Sequence, residues 1–193
     1  MLDVKQEPNK LSESGLIIID AQREYQDGSV PLVGFDEAVK EIKVLLDRAR
    51  QLGTRVWHVR HKTVNGAPIF APDSKYFEIV DELKPLASEN IIDKNHPSAF
   101  ADTTLNDELK KAGLDKLIVT GFMTHACISA SVRSAAALGK NCTVVASACA
   151  TRDLPDIANK DSVIKARDLH AATLAALSDI FATVVTTKDA IKD

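Results

Sequence analysis

Short, uninterrupted apolar segments alternate along this chain with segments in which apolar residues recur every three or four positions. Leu16 to Ile19 is a continuous aliphatic run, which is typical of a parallel strand covered on both faces. Over residues 35–52 the apolar positions follow helical spacing with charges between them, and Gly53 is a stop signal. This second segment is therefore predicted to be an amphipathic helix.

The same alternation continues to the end of the chain and predicts its fold class. Further strands are predicted at Thr54 to His61, Glu89 to Lys94, from Leu117, Asn141 to Ala146 and Ile180 to Thr186. Further helices are predicted at Tyr76 to Leu83, between Thr104 and Gly113, from near Cys127, and over 161–178. Strands that alternate with helices indicate an α/β fold with right-handed crossovers. We expect a three-layer α/β/α architecture, with a doubly wound six-stranded parallel sheet in the order 3-2-1-4-5-6.

Length and composition limit the domain organisation and the classes of partner. The 193 residues fit a single domain, which we place at 14–193. Residues 1–13 form a polar N-terminal arm that is expected either to be mobile or to wrap over the body of the domain. The 24 basic and 27 acidic residues give a net charge of −3, so nucleic acid is not expected as a partner. The apolar runs have only strand length and the first residues do not resemble a signal peptide, so we expect a cytoplasmic protein without a membrane partner. A proline-containing loop at 66–74 is a candidate lid or subunit contact, and we expect a homo-oligomer.

Cys127 differs from the other two cysteines because it lies at a predicted helix start. Cys127, Cys142 and Cys149 form neither a disulfide framework nor a paired zinc spacing. At a helix N-terminus, unpaired N–H groups and the positive end of the macrodipole favour a thiolate. Cys127 is therefore a candidate nucleophile with a depressed pKa. The alternative is an inert, buried small residue, which is the commoner role of a reduced cysteine.

Two other predicted strands end in ionisable residues that suit the activation of a thiol. Asp20 ends the first strand and Lys94 ends the third. Because the carboxyl ends of parallel strands lie at one edge of a sheet, Asp20, Lys94 and the turn before Cys127 are expected to converge there. In the predicted order, strands one and four are neighbours at the topological switch point, where crevices form.

Three motifs give the chain a resemblance to the isochorismatase-like cysteine hydrolases. They are Asp20-Ala-Gln22, Lys94 followed by Ser98-Ala-Phe100, and Gly121-Phe-Met-Thr-His-Ala-Cys127. The resemblance covers about residues 14–186 and implies that Asp20, Lys94 and Cys127 are catalytic. It also implies a cis peptide between Phe122 and Met123, and an oxyanion hole formed by the backbone N–H groups of Met123 and Cys127.

The resemblance implies hydrolysis of a C–N bond, amide or ureido, in a small molecule through a thioester intermediate. Gln22, Tyr25, Phe100 and Thr124 are the candidate substrate contacts. Two alternatives remain. An isochorismatase-type vinyl-ether hydrolase needs the acid but not the thiol, and a non-catalytic Rossmann-like binding module would need a phosphate-binding glycine loop after the first strand.

No cofactor and no metal are predicted. Some nicotinamidase relatives carry an Asp-x-His pair and further histidines after the second strand, and this chain has Arg60-His-Lys-Thr-Val-Asn-Gly-Ala-Pro68 instead. His58 and His61 are three positions apart on a strand, so their side chains are expected to face opposite ways and not to share an ion.

Overall fold

The structure of the protein is a computed structural model that describes residues 7–193. Residues 1–6 of the predicted N-terminal arm lie outside this range. The strands are β1 Gly15–Ile19, β2 Val56–His61, β3 Asn90–Lys94, β4 Lys116–Phe122, β5 Asn141–Ala150, β6 Leu154–Pro155, β7 Val163–Ile164 and β8 Thr183–Val185. The α-helices are α1 Phe35–Leu52, α2 Leu105–Lys111, α3 Ser129–Ala137 and α4 Ala166–Ile180. Among the described residues, no helix has both the length and the apolarity needed to cross a membrane.

Six of the strands form one parallel sheet in the order β3-β2-β1-β4-β5-β8. The predicted order is confirmed, because β8 is the sixth strand of this sheet in chain order. The intervening β6 and β7 pair only with each other, as a short antiparallel hairpin. The central strand β1 is paired on both sides, with β2 and with β4, and all five of its residues are buried.

The sheet separates two apolar cores. Successive side chains of β1 point to opposite faces of the sheet, so β1 contributes residues to both cores. Leu16 and Ile18 belong to the core beneath α1, whereas Ile17 and Ile19 belong to the core on the opposite face. Apolar residues of α2, α3 and α4 cover that second core. The helices therefore lie on both faces of the sheet. A ligand site is then expected at the edge formed by the carboxyl ends of the strands, which the helices do not cover.

The predicted helix before β3 and the predicted last helix both differ from the observed structure. The helix predicted over Tyr76 to Leu83 is wrong, since the segment forms two 3-10 turns, Lys75–Phe77 and Asp81–Leu83. The residues between them are extended, and Ile79 forms an isolated bridge with Gln22. The last helix begins at Ala166 and not at 161, because β7 pairs with β6 and the Ala166 N–H then bonds Asp153 Oδ1 at 2.7 Å.

Candidate active site

The ends of β1, β3 and β4 bring Asp20, Lys94 and Cys127 together, as the motif order predicts. Lys94 Nζ lies 2.8 Å from Asp20 Oδ2 and donates to Cys127 Sγ at 3.3 Å. The side chains of Asp20 and Lys94 have no exposed area, and Cys127 is 5% exposed. Removal of water strengthens the attraction between these charges. The ammonium of Lys94 therefore bridges the carboxylate and the thiol.

The backbone at Asp20 turns out of the sheet at the end of β1. Asp20 has a φ of +53°, in the left-handed region that costs a non-glycine residue roughly 1–2 kcal/mol. Its N–H still pairs with Val59 O at 2.7 Å, and its carbonyl accepts the Gln22 N–H at 2.8 Å. Asp20 is thus fixed by the last bond of the β1–β2 ladder and by a tight turn directly after it.

Cys127 lies in a π-helical turn, Thr124–Ile128, that leads into α3. The expectation of an α-helix opening at the cysteine is therefore correct only for the residues that follow the turn. The buried Thr124 attaches the turn to the end of β5, because its hydroxyl donates to Ala150 O at 3.1 Å. The peptide bond between Phe122 and Met123 is cis, as the resemblance implied.

Burial controls the protonation of the acid and of the thiol. Loss of solvation raises the pKa of Asp20 above 3.8, against the opposing effect of Lys94. Burial, followed by the negative charge of Asp20, raises the pKa of Cys127 to about 12. The expected depressed pKa of Cys127 is therefore wrong for this state of the protein. Burial also raises the pKa of Cys142 and of Cys149 to about 12, so what distinguishes Cys127 is its contact with Lys94.

His61 also belongs to this cluster, although from the sequence it was predicted neither to bind a metal nor to join the site. It is the last residue of β2, and its Nδ1 lies 3.0 Å from Lys94 Nζ. The rule that placed Asp20 and Lys94 at one edge of the sheet applies equally to the end of β2 and would have identified it. His58 points elsewhere and pairs through Nε2 with Glu89 at 3.0 Å.

The donor atoms of Asp20, His61 and Cys127 lie within 4.8 Å of one another, as close as ligands of one cation. The cation that lies among them is the ammonium of Lys94, at 2.8, 3.0 and 3.3 Å from the three donor atoms. Lys94 thus supplies, from within the chain, the positive charge that this set of donors favours.

The four candidate substrate contacts occupy different environments. Gln22 is fully buried, and its amide bonds both backbone groups of His61. Tyr25 is 2% exposed and packs its ring edge-to-face on Phe70, with centroids 5.2 Å apart. Phe100 is half-buried beside the core under α2 and α3, and the Thr124 hydroxyl contacts Ala150 O and His170 Nδ1. Substrate contact by any of these residues stays a prediction.

Comparison with known proteins identifies the family of this chain. The family model for the isochorismatase domain matches residues 14–189. The chain belongs to the isochorismatase family. It is 44% identical to an isochorismatase from Pseudomonas putida KT2440 whose crystal structure superposes with a TM-score of 0.90, over 95% of this chain and 93% of the other. It is 36% identical over 189 residues to a secreted isochorismatase effector of Verticillium dahliae, over 98% of this chain and 96% of that protein.

Other relatives are named as hydrolases, and one of them is named as an amidohydrolase. A streptothricin hydrolase of Streptomyces noursei is 29% identical over 164 residues, which is 85% of this chain and 65% of that protein. A ureidoacrylate amidohydrolase of Agrobacterium fabrum is 28% identical over 161 residues, 65% of this chain and 71% of that protein. The protein is thus a hydrolase of the isochorismatase family. Because one relative is named as secreted, the expected cytoplasmic location stays a prediction.

Proposed function

We propose that this hydrolase cleaves a C–N bond, amide or ureido, of a small molecule, with Cys127 as nucleophile and a thioester as intermediate. The observation that carries the proposal is the position of Lys94, whose ammonium contacts both the Asp20 carboxylate and the Cys127 sulfur. A cation shared between a carboxylate and a thiol stabilises whichever of them carries the negative charge. This is the requirement of a reaction in which one proton moves between them.

In the proposed reaction, Asp20 first removes the proton from the Cys127 thiol, and the sulfur attacks the carbonyl carbon. The tetrahedral intermediate then collapses, Asp20 returns the proton to the leaving nitrogen, and the C–N bond breaks. An amine or ammonia departs and the acyl group remains on sulfur. Water attacks the thioester with Asp20 again as base, which releases the acid and restores the thiol.

The protonation states of the resting site agree with this sequence of steps. A thiol with a pKa of about 12 retains its proton at neutral pH, so the sulfur is activated only when its proton is taken. Burial raises the pKa of Asp20 and so makes its carboxylate a stronger base than an exposed aspartate. Lys94 offsets part of the cost of the new thiolate, at 3.3 Å from the sulfur.

The oxyanion hole is assigned to the backbone N–H groups of Met123 and Cys127. Met123 directly precedes the π-helical turn Thr124–Ile128 and Cys127 lies within it, so a carbonyl attacked by Cys127 would place its oxygen close to that turn. We propose Tyr25 and Phe100 as walls of the substrate pocket. Burial, and then the charge of Asp20, raise the pKa of Tyr25 well above 10, so its phenol would act as a hydrogen-bond donor.

The relatives named as streptothricin hydrolase and ureidoacrylate amidohydrolase favour an amide or ureido substrate. The alternative is the vinyl-ether hydrolysis from which the family takes its name, and the presence of a thiol against Lys94 argues against it. A homo-oligomer is also proposed, and sedimentation velocity would measure its size.

The test is a panel of small amides and ureido compounds together with a vinyl ether. The readouts are release of amine or ammonia, cleavage of the vinyl ether, and intact protein mass. Wild type is expected to release amine and, when quenched early, to carry the acyl group on Cys127. Cys127→Ser is expected to lose at least about a thousandfold in rate. Cys142→Ser, with its substitution in the core under α4, is the matched control. Equal rates in Cys127→Ser and wild type would contradict the proposal, and vinyl-ether cleavage by both would favour the alternative.

A further inference from the structure

The ammonium of Lys94 has three N–H groups, and three acceptors surround it. They are Asp20 Oδ2 at 2.8 Å, His61 Nδ1 at 3.0 Å and Cys127 Sγ at 3.3 Å. The lysine side chain has no exposed area, so these three groups replace the water that an ammonium normally binds. Two of the acceptors belong to the proposed reaction. The third, His61, has no role in that reaction.

His61 can accept this hydrogen bond only if its ring is neutral and its own proton is on Nε2. Burial, followed by the charges of Lys94 and of His96, lowers the pKa of His61 to about 4. The imidazole is therefore neutral at neutral pH. The ring also packs against Phe70, with centroids 5.0 Å apart.

The backbone of His61 is fixed by the loop that carries the proposed base. Gln22, two residues after Asp20, accepts the His61 N–H on Oε1 at 2.7 Å and donates from Nε2 to His61 O at 3.0 Å. Its second amide hydrogen goes to Phe77 O at 2.8 Å. The fully buried amide thus pairs with both backbone groups of His61 and has no free donor.

We propose that His61 is a positioning residue that acts through Lys94, because its neutral imidazole accepts the third ammonium hydrogen and holds the cation between Asp20 and Cys127. Without this acceptor the ammonium would turn toward another group or toward water, and its contact with the sulfur would lengthen. The Cys127 thiolate would then form less readily. The role of His61 in turnover rests on the proposed function, but the arrangement of the ammonium does not.

A matched pair of variants tests which ring atom matters. In His61→Asn the side-chain oxygen can take the position of Nδ1, whereas in His61→Gln it reaches the position of Nε2. The readout is the rate of alkylation of Cys127 by iodoacetamide in the folded protein, measured by peptide mass spectrometry with Cys142 and Cys149 as internal standards. This readout needs no substrate.

We expect His61→Asn to alkylate within about threefold of wild type, and His61→Gln to be slower by roughly tenfold, the effect of one pKa unit on the thiolate fraction. Lys110→Met, on the exposed side of α2, is the control and should match wild type. Equal rates in the Asn and Gln variants, with circular dichroism showing both folded, would overturn the proposal.

Nitrogen NMR of the histidine rings provides a second test that does not depend on a variant folding. The wild-type spectrum should show His61 with its proton on Nε2 and no titration down to about pH 5, as its lowered pKa requires. Lys94→Met should raise the pH at which His61 titrates. A proton on Nδ1 in the wild type would overturn the proposal directly. If alkylation and NMR agree with the proposal but no amide is cleaved, the arrangement stands and the proposed function fails.

Discussion

Gly121 of β4 lies so close to Ile19 of β1 that a Cβ atom at position 121 would be 2.0 Å from the Ile19 carbonyl oxygen. Its φ is +116°, a conformation that L-residues with a side chain rarely adopt. The register between β4 and β5 also shifts between Val119 and Gly121. Close approach of the two backbones at this point brings the turn before Cys127 beside Asp20.

Gly121→Ala is therefore expected to disrupt the end of β4 and to remove activity, because the new methyl group meets backbone atoms that cannot move aside. Unfolding by urea should show a loss of at least about 2 kcal/mol, within the range for strain plus overpacking. Gly113→Ala is the control, since its Cβ would meet nothing within 4 Å, although its φ of +68° makes a smaller cost expected. A Gly121→Ala protein as stable as Gly113→Ala would contradict this account of the close approach.

The acid limb of activity should report the ionisation of Asp20. Catalysis by this base requires the carboxylate, and burial raises its pKa above 3.8, so the rate should fall as the pH decreases through that raised value. Lys94→Met removes the charge that opposes the shift and should move the limb to higher pH while lowering the rate by at least about a hundredfold. Profiles of kcat/KM against pH measure both effects. Lys110→Met, on the exposed side of α2, is the control.

Glu89 links three parts of the chain just before β3. Its carboxylate accepts from Arg50 Nε at 2.7 Å and from the Leu86 N–H at 2.9 Å, and it lies 3.0 Å from His58 Nε2. Burial alone would raise the pKa of Glu89, but these hydrogen bonds lower it from 4.5 to about 2. A lowered folded pKa means that the stabilisation is complete above about pH 4.5 and is lost as the pH falls toward 2.

Glu89→Gln should therefore lower the free energy of unfolding at neutral pH by about 1.5–3 kcal/mol, the range for hydrogen bonds to a charged group. The deficit should shrink when the same urea titrations are made near pH 3, because the wild-type carboxylate loses part of its advantage there. Glu82→Gln, which alters an exposed glutamate, is expected to change little at either pH. If the difference in the free energy of unfolding stayed constant with pH, Glu89 would stabilise the protein through packing and not through the charge of its carboxylate.

Much of the architecture follows from the sequence pattern because the strands are short and buried. Leu16 to Ile19 is typical of a central strand, and the strand ends at Asp20 and Lys94 share an edge in any parallel sheet. The pattern fails where tertiary contacts decide the local structure. Ile79 is extended because it pairs with Gln22, and no periodicity reports that pairing. The protonation of Cys127 also could not be predicted, since the sequence shows a turn and a lysine but not the loss of water around the sulfur.

Asn9, in the polar segment before β1, joins two strands of the sheet, β4 and β5. Its N–H donates to Thr143 Oγ1 at 2.9 Å, and its side-chain Nδ2 donates to Asn141 O at 2.9 Å and to Leu117 O at 3.2 Å. Asn9 is 5% exposed, so these carbonyls have little water to replace the amide. Leu11, two residues later, is fully buried and its N–H pairs with Lys192 O at 2.8 Å.

These contacts imply that the segment from Asn9 stabilises the domain, although it was predicted to be a polar arm outside the 14–193 unit. Asn9→Ala is expected to lower the free energy of unfolding by about 1–3 kcal/mol, because two buried carbonyl groups each lose a donor. Lys10→Ala is the matched control, since the side chain of Lys10 is largely exposed and its ammonium pairs, within residues 7–193, with the exposed Glu13 at 3.6 Å. Urea titration of both variants measures the difference. Equal stability of the two proteins would mean that the Asn9 hydrogen bonds are replaced by water at no net cost and that the segment is a dispensable arm.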